Sequence, residues 1–383
     1  MFTFNTTPSI VVQAGASETA GSLLLPIIGK YALVVTDKGL LDTGIINPFL
    51  DSLAKAGVEY SIYSDVKADP PERNVVEALS VAERCAATGV IGIGGGSPLD
   101  VAKVTALLVG SGQDIRAAYG VGNAVGPRLP LALVPTTAGT GSEVTPIAIL
   151  TTGESEKKGI VSPLLLPDIA ILDADLTTQL PPMTTAATGI DAMVHAIEAF
   201  TSMSPSNNPI SRGLARQALQ LLSANIETAT FQGSDRASRQ KMLLGSLLAG
   251  QAFANSPVAA VHALAYPIGA RYHVPHGLSN ALVLPHVMRF NIDAVGEQYS
   301  LLAPEIFPDL VLLNAGSRVE ELIVRIDALM RRLGLPARLR DVGIPASALD
   351  MLARDAMKQT RLLVNNPRPV LVSDALAIYQ AAF

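Results

Sequence analysis

Cysteine occurs once in this chain of 383 residues and tryptophan not at all, and only 16% of the residues are charged. With Cys85 alone, no intramolecular disulfide can form and no thiolate zinc cluster can be assembled, so a reducing, cytoplasmic compartment is expected. No basic residue precedes Lys30. The opening segment therefore lacks the positive stretch of a secretory signal and the arginines of a transit peptide, and it reads as mature protein. Apolar runs such as LLLPII and ALVV are cut by Pro26, Lys30 and Asp37, well short of the ~20 residues that span a bilayer. A net charge of -5, with no Lys/Arg-rich stripe, argues against both nucleic acid and a membrane surface as partners.

What is present is apolar: 49% of the chain is hydrophobic. The length suits two domains of roughly 100 to 200 residues each, and sparse surface charge suggests burial between subunits. Up to about residue 175, short β-branched runs (31–36, 58–64, 89–94, 129–137) alternate with helical patterns, the βαβ signature of a parallel sheet. Residues 72–87 place Val75, Val76, Leu79 and Ala82 at helical spacing. After Pro181 and Pro182 the strands give way to long Ala/Leu-rich stretches such as 211–225 and 239–254. The expected fold class is thus an α/β nucleotide-binding domain over 1–180 and an all-α domain over 181–383.

Two loops carry the chemistry of the first half. GIGGGSPLDVAK (92–103) follows an expected strand and opens a helix, so Gly94, Gly95 and Gly96 can bring backbone N–H groups to a phosphate at a helix N-terminus. Ser97 is placed as the N-cap, Pro98 at the first helical position and Asp100 at the third. PTTAGTGSEVT (135–145) offers the hydroxyls of Thr136, Thr137 and Thr140 to phosphate, ribose or nicotinamide. Loops at the ends of successive strands form a nucleotide crevice. No GxGxxG follows the first strand, so the dinucleotide is held differently from the ordinary fingerprint. Asp37 stands near the end of that strand, where it either accepts from an adenosine ribose or caps the next helix.

All five histidines lie between residues 195 and 286. Asp191 and His195, four apart in a helical pattern, present their side chains from one face with Cβ atoms ~6 Å apart. His262 and His276 flank a Pro- and Gly-containing stretch that can fold back on them. One carboxylate with three imidazoles suits Fe(II) or Zn(II) better than Mg or Ca, with room for a substrate oxygen.

Taken together, GGGSxxDxAK, PTTAGTGSEVT, DAxxHAIE, HALAxPxG, PHGLxNAxxLP and NNPRP (365–369) occur in the order found in the iron-containing (group III) alcohol dehydrogenases, which this chain resembles over nearly its whole length. The resemblance implies a dehydroquinate synthase-like fold, NAD and Fe2+ (Zn2+ in some members) as cofactors, and a homodimer or higher homo-oligomer. It places Asp191, His195, His262 and His276 on the metal and Gly94 to Ser97, Asp100, Thr136, Thr137, Thr140 and Lys158 on the cofactor. Ile147, Phe253 and Val258 fall on pocket-lining positions, and all three are apolar, which implies a short aliphatic substrate. Many relatives carry a relay histidine where this chain has Tyr266; Tyr266 and the nearby His273 are the candidate proton carriers.

The activity expected is hydride transfer between an alcohol or aldehyde and NAD(H). A polyol-phosphate dehydrogenase, a dehydroquinate synthase or a maleylacetate-type reductase would need cationic partners for an anionic substrate, and Arg271 is the one basic residue between His262 and His286. A non-catalytic nucleotide-binding scaffold stays open on the loops alone.

Overall fold

The structure, a computed structural model, describes residues 1–153 and 156–383. It divides into two compact units, one of residues 5–180 with 234–244, the other of residues 1–4, 181–233 and 245–383.

The first unit is built on a six-stranded, all-parallel sheet and a small three-stranded one. Its strands are β1 (Ser9–Val12), β2 (Tyr31–Val35), β3 (Glu59–Tyr63), β4 (Gly89–Gly94), β5 (Gly120–Val121), β6 (Leu131–Pro135), β7 (Ile147–Thr152), β8 (Glu156–Val161) and β9 (Ile169–Leu172). Its helices are α1 (Ala20–Ile28), α2 (Lys38–Thr43), α3 (Asn47–Lys55), α4 (Glu72–Arg84), α5 (Gly96–Ser111) and α6 (Ile115–Ala118). The large sheet runs in the order β1-β9-β6-β4-β2-β3, and the small one in the order β5-β8-β7.

Alternation along the strands explains why both faces of the large sheet are covered. Leu33 and Val35 of β2 join one buried cluster with residues of α4 and α5, while Ala32 and Val34 join another with residues of α1 and α3. Strands buried on both faces read as the near-continuous apolar runs seen in the sequence. β2 is followed by β3 on one side, and β4 then returns to the other side of β2. Such a reversal is where parallel sheets bind ligands, beyond the carboxyl ends of the strands. The segments after β2 and β4 carry Asp37 and Gly95. One expectation for α4 is corrected: Val75, Ala78 and Ala82 are buried, whereas Val76 is 56% exposed. Burial follows the i, i+3, i+7 stripe, and Val76 lies beside it.

α5 also supports the second loop from below. Asp100 accepts from the Ser142 hydroxyl at 2.6 Å and from the Ile149 N–H at 2.8 Å. Lys103, with no exposed surface, donates to the Thr145 carbonyl at 3.0 Å, the Thr145 hydroxyl at 3.1 Å and the Ile147 carbonyl at 2.8 Å. Those bonds use the three donors of an ammonium and satisfy two backbone carbonyls. Burial pushes the Lys103 amine down to about 8, against the pull of Asp100 and Glu143. Burial likewise pushes the Glu143 carboxyl up to about 7.

A pH dependence of stability follows. The unfolded Glu143 releases its proton near its ordinary value of 4.5, whereas the folded one holds it to about 7. The folded state binds the extra proton between these values, so this contribution to stability declines as pH rises through that window. Glu143→Gln is expected to flatten the decline in Tm between those two values. Equal slopes for the two proteins in calorimetry would refute the buried, late-titrating carboxyl.

The second unit is helical: α7 (Pro182–Thr201), α8 (Pro209–Phe231), the later part of α9 (Arg236–Ala254), α10 (Ala260–Tyr272), α11 (His276–Ile306), α12 (Ala315–Arg332), α13 (Leu349–Ala356), α14 (Thr360–Leu363) and α15 (Val372–Ala381). Prolines set its punctuation, with Pro182 and Pro209 at helix starts, where the missing N–H has no helical partner to lose. α11 is kinked at Val295, whose backbone leaves helical values. Among the described residues no helix is long and apolar enough to cross a membrane.

Candidate metal centre and cofactor loops

Three helices of the second unit bring four ligand groups together. α7 contributes Asp191 and His195 one turn apart, α10 contributes His262, and α11 contributes His276 as its first residue. One ligand atom from each lies within 4.8 Å of those from the others. Asp191, His195 and His262 are buried, and the His276 side chain is 33% exposed, which leaves one side of the cluster open. The rings also stack. His195 lies 4.7 Å from His262 and 4.3 Å from Phe253, centroid to centroid, and His262 lies 5.4 Å from His276.

The donor set fits a divalent transition metal on an observation of its own. The Asn280 amide nitrogen lies 2.5 Å from Asp191 Oδ1, 3.3 Å from His262 Nε2 and 3.3 Å from His276 Nε2. Acceptor atoms from three ligands thus point at one small region, as lone pairs must if they share a cation. The Asn280 carbonyl oxygen is buried without a hydrogen-bond partner.

The approach of α11 to α7 depends on Gly277. A Cβ there would overlap the Ala187 carbonyl oxygen of α7 and meet Asp191 Cβ at 3.2 Å. Behind the site, NNPRP ties the helices. Asn365 donates to the Val258 carbonyl at 3.0 Å, and the Asn366 and Asn291 amides exchange hydrogen bonds at 2.9 and 3.0 Å. The motif thereby anchors the segment before His262 and the helix that bears His276.

In the first unit, β4 runs into the glycine loop and α5. Gly94 takes φ +155°, and a Cβ there would stand 2.6 Å from Pro98, so a side chain would be doubly disfavoured. α5 starts at Gly96 with Gly95 as N-cap. This corrects the expectation that Ser97 caps the helix: Ser97 is in the first turn, because extended Gly95 lets the helix begin at once. One Asp100 oxygen holds Ser142 of the second loop and the other the Ile149 N–H of β7, so Asp100 supports that loop and the strand that follows it. That loop is held with Thr136 buried and Thr137 and Thr140 half-buried.

Asp37 caps α2, its Oδ1 accepting from the Leu40 N–H at 3.0 Å. Lys158, on β8, is 44% exposed and pairs with Glu156 at 3.3 Å. Its neighbour Lys157 is 13% exposed and pairs with Asp69. Adjacent strand residues face opposite ways, so only one of the two can face α5.

Tyr266 lies 5.9 Å from His276, ring to ring. His273 is exposed and ends α10 in the left-handed region, φ 54°. Phe253 and Val258 are buried in the helical unit, and Ile147, half-buried, opens β7. Sequence reasoning missed Glu198, which is buried 2.6 Å from His262 Nδ1. Its spacing of three and seven residues after His195 and Asp191 was the available signal.

A parallel nucleotide-type sheet and a helical unit with a candidate metal centre have the dehydroquinate synthase-like fold of metal-dependent oxidoreductases. Two family models match the chain: iron-containing alcohol dehydrogenase over residues 7–174, and the C-terminal part of the Fe-containing alcohol dehydrogenase family over 185–383. The chain belongs to this family and is an alcohol dehydrogenase. It is 40% identical over 357 residues to the long-chain-alcohol dehydrogenase 1 of Geobacillus thermodenitrificans, covering 92% of this chain and 90% of that one. A 1,3-propanediol oxidoreductase structure matches with TM-score 0.96 and 35% identity over the whole of both chains. A sulfoacetaldehyde reductase structure from Bifidobacterium kashiwanohense, in complex with NAD+, matches with TM-score 0.89 and 27% identity, covering 100% of this chain and 98% of that one.

Gly277→Ala is expected to push His276 away from Asp191. Overpacking of this kind destabilises by ~1 to 3 kcal/mol, so the variant should fold with a lowered Tm and retain less Zn2+ than wild type after gel filtration. Undiminished Zn2+ content would show that the α7–α11 approach does not govern the site.

Proposed function

We propose that this enzyme interconverts short, uncharged alcohols and aldehydes with NAD(H), using Fe2+ (or Zn2+) held by Asp191, His195, His262 and His276. The observation that carries the reading is the convergence of those four ligand atoms within 4.8 Å. A divalent ion bound there supplies Lewis acidity, which polarises a carbonyl and acidifies an alcohol.

The chain's own residues do the rest. The N–H groups of the Gly94–Ser97 loop and the start of α5 receive pyrophosphate, and the hydroxyls of Thr136, Thr137 and Thr140 address ribose and nicotinamide. Lys158, on β8 and paired with Glu156, is the proposed lysine on the cofactor side. Tyr266, beside His276, is the proposed holder of the alcohol proton; His273, exposed at a helix end, is the second candidate. Phe253, stacked on His195, and Val258 supply an apolar wall.

An anionic substrate is disfavoured because Arg271 is paired with Asp355 at 2.5 Å. Against a homologous series of straight-chain aldehydes, kcat/KM should be highest for short members and low for a sulfonate-bearing aldehyde. The lone cysteine and the sparse surface charge support a cytoplasmic homodimer or larger homo-oligomer.

His262→Ala should lose bound metal and nearly all aldehyde reduction while still binding NADH; full metal content in that variant would overturn the ligand assignment.

Asp37 supports NAD(H) over NADP(H), since a carboxylate accepts from a ribose 2′-hydroxyl and repels a 2′-phosphate. Asp37→Gly should relax that preference and lower stability by only a few tenths of a kcal/mol, roughly the difference between Asp and Gly as caps. An unchanged NADP(H)/NAD(H) ratio of kcat/KM would leave Asp37 as a helix cap alone.

A further inference from the structure

Glu198 lies two helical turns after Asp191 on the same face of α7, and its side chain is 5% exposed. A buried carboxylate needs full hydrogen-bonding to stay ionised at low energy. Here each oxygen has one partner. Oε1 accepts from the Val261 N–H at 2.7 Å, and Oε2 lies 2.6 Å from His262 Nδ1. The first bond satisfies an orphan donor in the opening turn of α10, whose N-cap Ala259 offers no side-chain acceptor.

The second bond decides the chemistry of the ring. An acceptor-only group at Nδ1 keeps the proton there, so the Nε2 lone pair is free, and Nε2 is the atom that faces Asn280 with the other ligands. We propose that Glu198 is a positioning residue for the metal centre, fixing His262 in the Nδ1–H tautomer and aiming Nε2 at the ion. This rests on the reading of Asp191, His195, His262 and His276 as one metal site.

Glu198→Gln separates this role from simple capping. Its amide oxygen can still accept from Val261, but its NH2 group then faces Nδ1, which must become the acceptor. The proton moves to Nε2 and blocks ligation. Rotating the amide instead sets its NH2 group against the Val261 N–H, so the Nδ1–H tautomer is retained only by losing the cap.

The test uses chelator-stripped full-length protein, with Zn2+ affinity measured by competition with a chromophoric chelator. Glu198→Gln is expected to bind Zn2+ ~10- to 100-fold more weakly than wild type, the usual effect of removing a carboxylate behind a ligating histidine. NADH binding, which depends on the other unit, should be unchanged. 15N-histidine NMR of the metal-free protein should show His262 as Nδ1–H in wild type and Nε2–H in the variant. Wild-type His262 in the Nε2–H form would overturn the proposal without recourse to any variant. So would equal Zn2+ affinity of the two proteins. Wild type that binds no Zn2+ would instead overturn the metal site itself.

Discussion

The contact on which the candidate metal centre depends is the bare-backbone approach of α11 to α7, where Gly277 sits against the Ala187 carbonyl. α7 alone can offer Asp191 and His195 from one face, but two ligands a turn apart hold an ion weakly. The other two must come from helices remote in sequence. Because residue 277 has no side chain, His276 and Asn280 can reach Asp191 from the first turns of α11. The packed interior behind them, with Asn365 on the Val258 carbonyl and Asn366 on Asn291, keeps those helices from sliding.

The α/β unit solves a different problem, that of holding irregular backbone still. Loops of irregular backbone cannot satisfy all their own carbonyls and N–H groups through a helix or a sheet ladder. α5 supplies the missing partners from two side chains one turn apart, Asp100 for N–H and hydroxyl donors and Lys103 for carbonyls. Burying an ammonium and two carboxylates is unfavourable by several kcal/mol per ion unless each is paired and hydrogen-bonded. The depressed Lys103 and raised Glu143 register that penalty. The same helix offers its N-terminus at the glycine loop, so both loops are referred to one rigid element.

Where the residue pattern misled, the cause is local geometry that spacing does not encode. Ser97 is a better cap than glycine by side-chain chemistry, yet Gly95 ends β4's run in an extended conformation and α5 starts before Ser97. Val76 shares the apolar character of Val75 but sits one hundred degrees round the helix from it, by the helical repeat of ~3.6 residues per turn.

The sequence by itself determined the βαβ order, the change to helices near residue 181, the two glycine- and threonine-rich loops and the identity of the four ligand-type side chains. Those features are local: hydrophobic period, turn chemistry and residue type act over a few neighbours. Tertiary structure alone decided that His262 and His276 meet Asp191, that Asp100 faces the second loop, that Asn365 and Asn366 brace the helices, and that Glu198 stands behind His262. Each of these joins elements dozens of residues apart, and which side chains meet there depends on helix crossing and close packing, which no local pattern specifies.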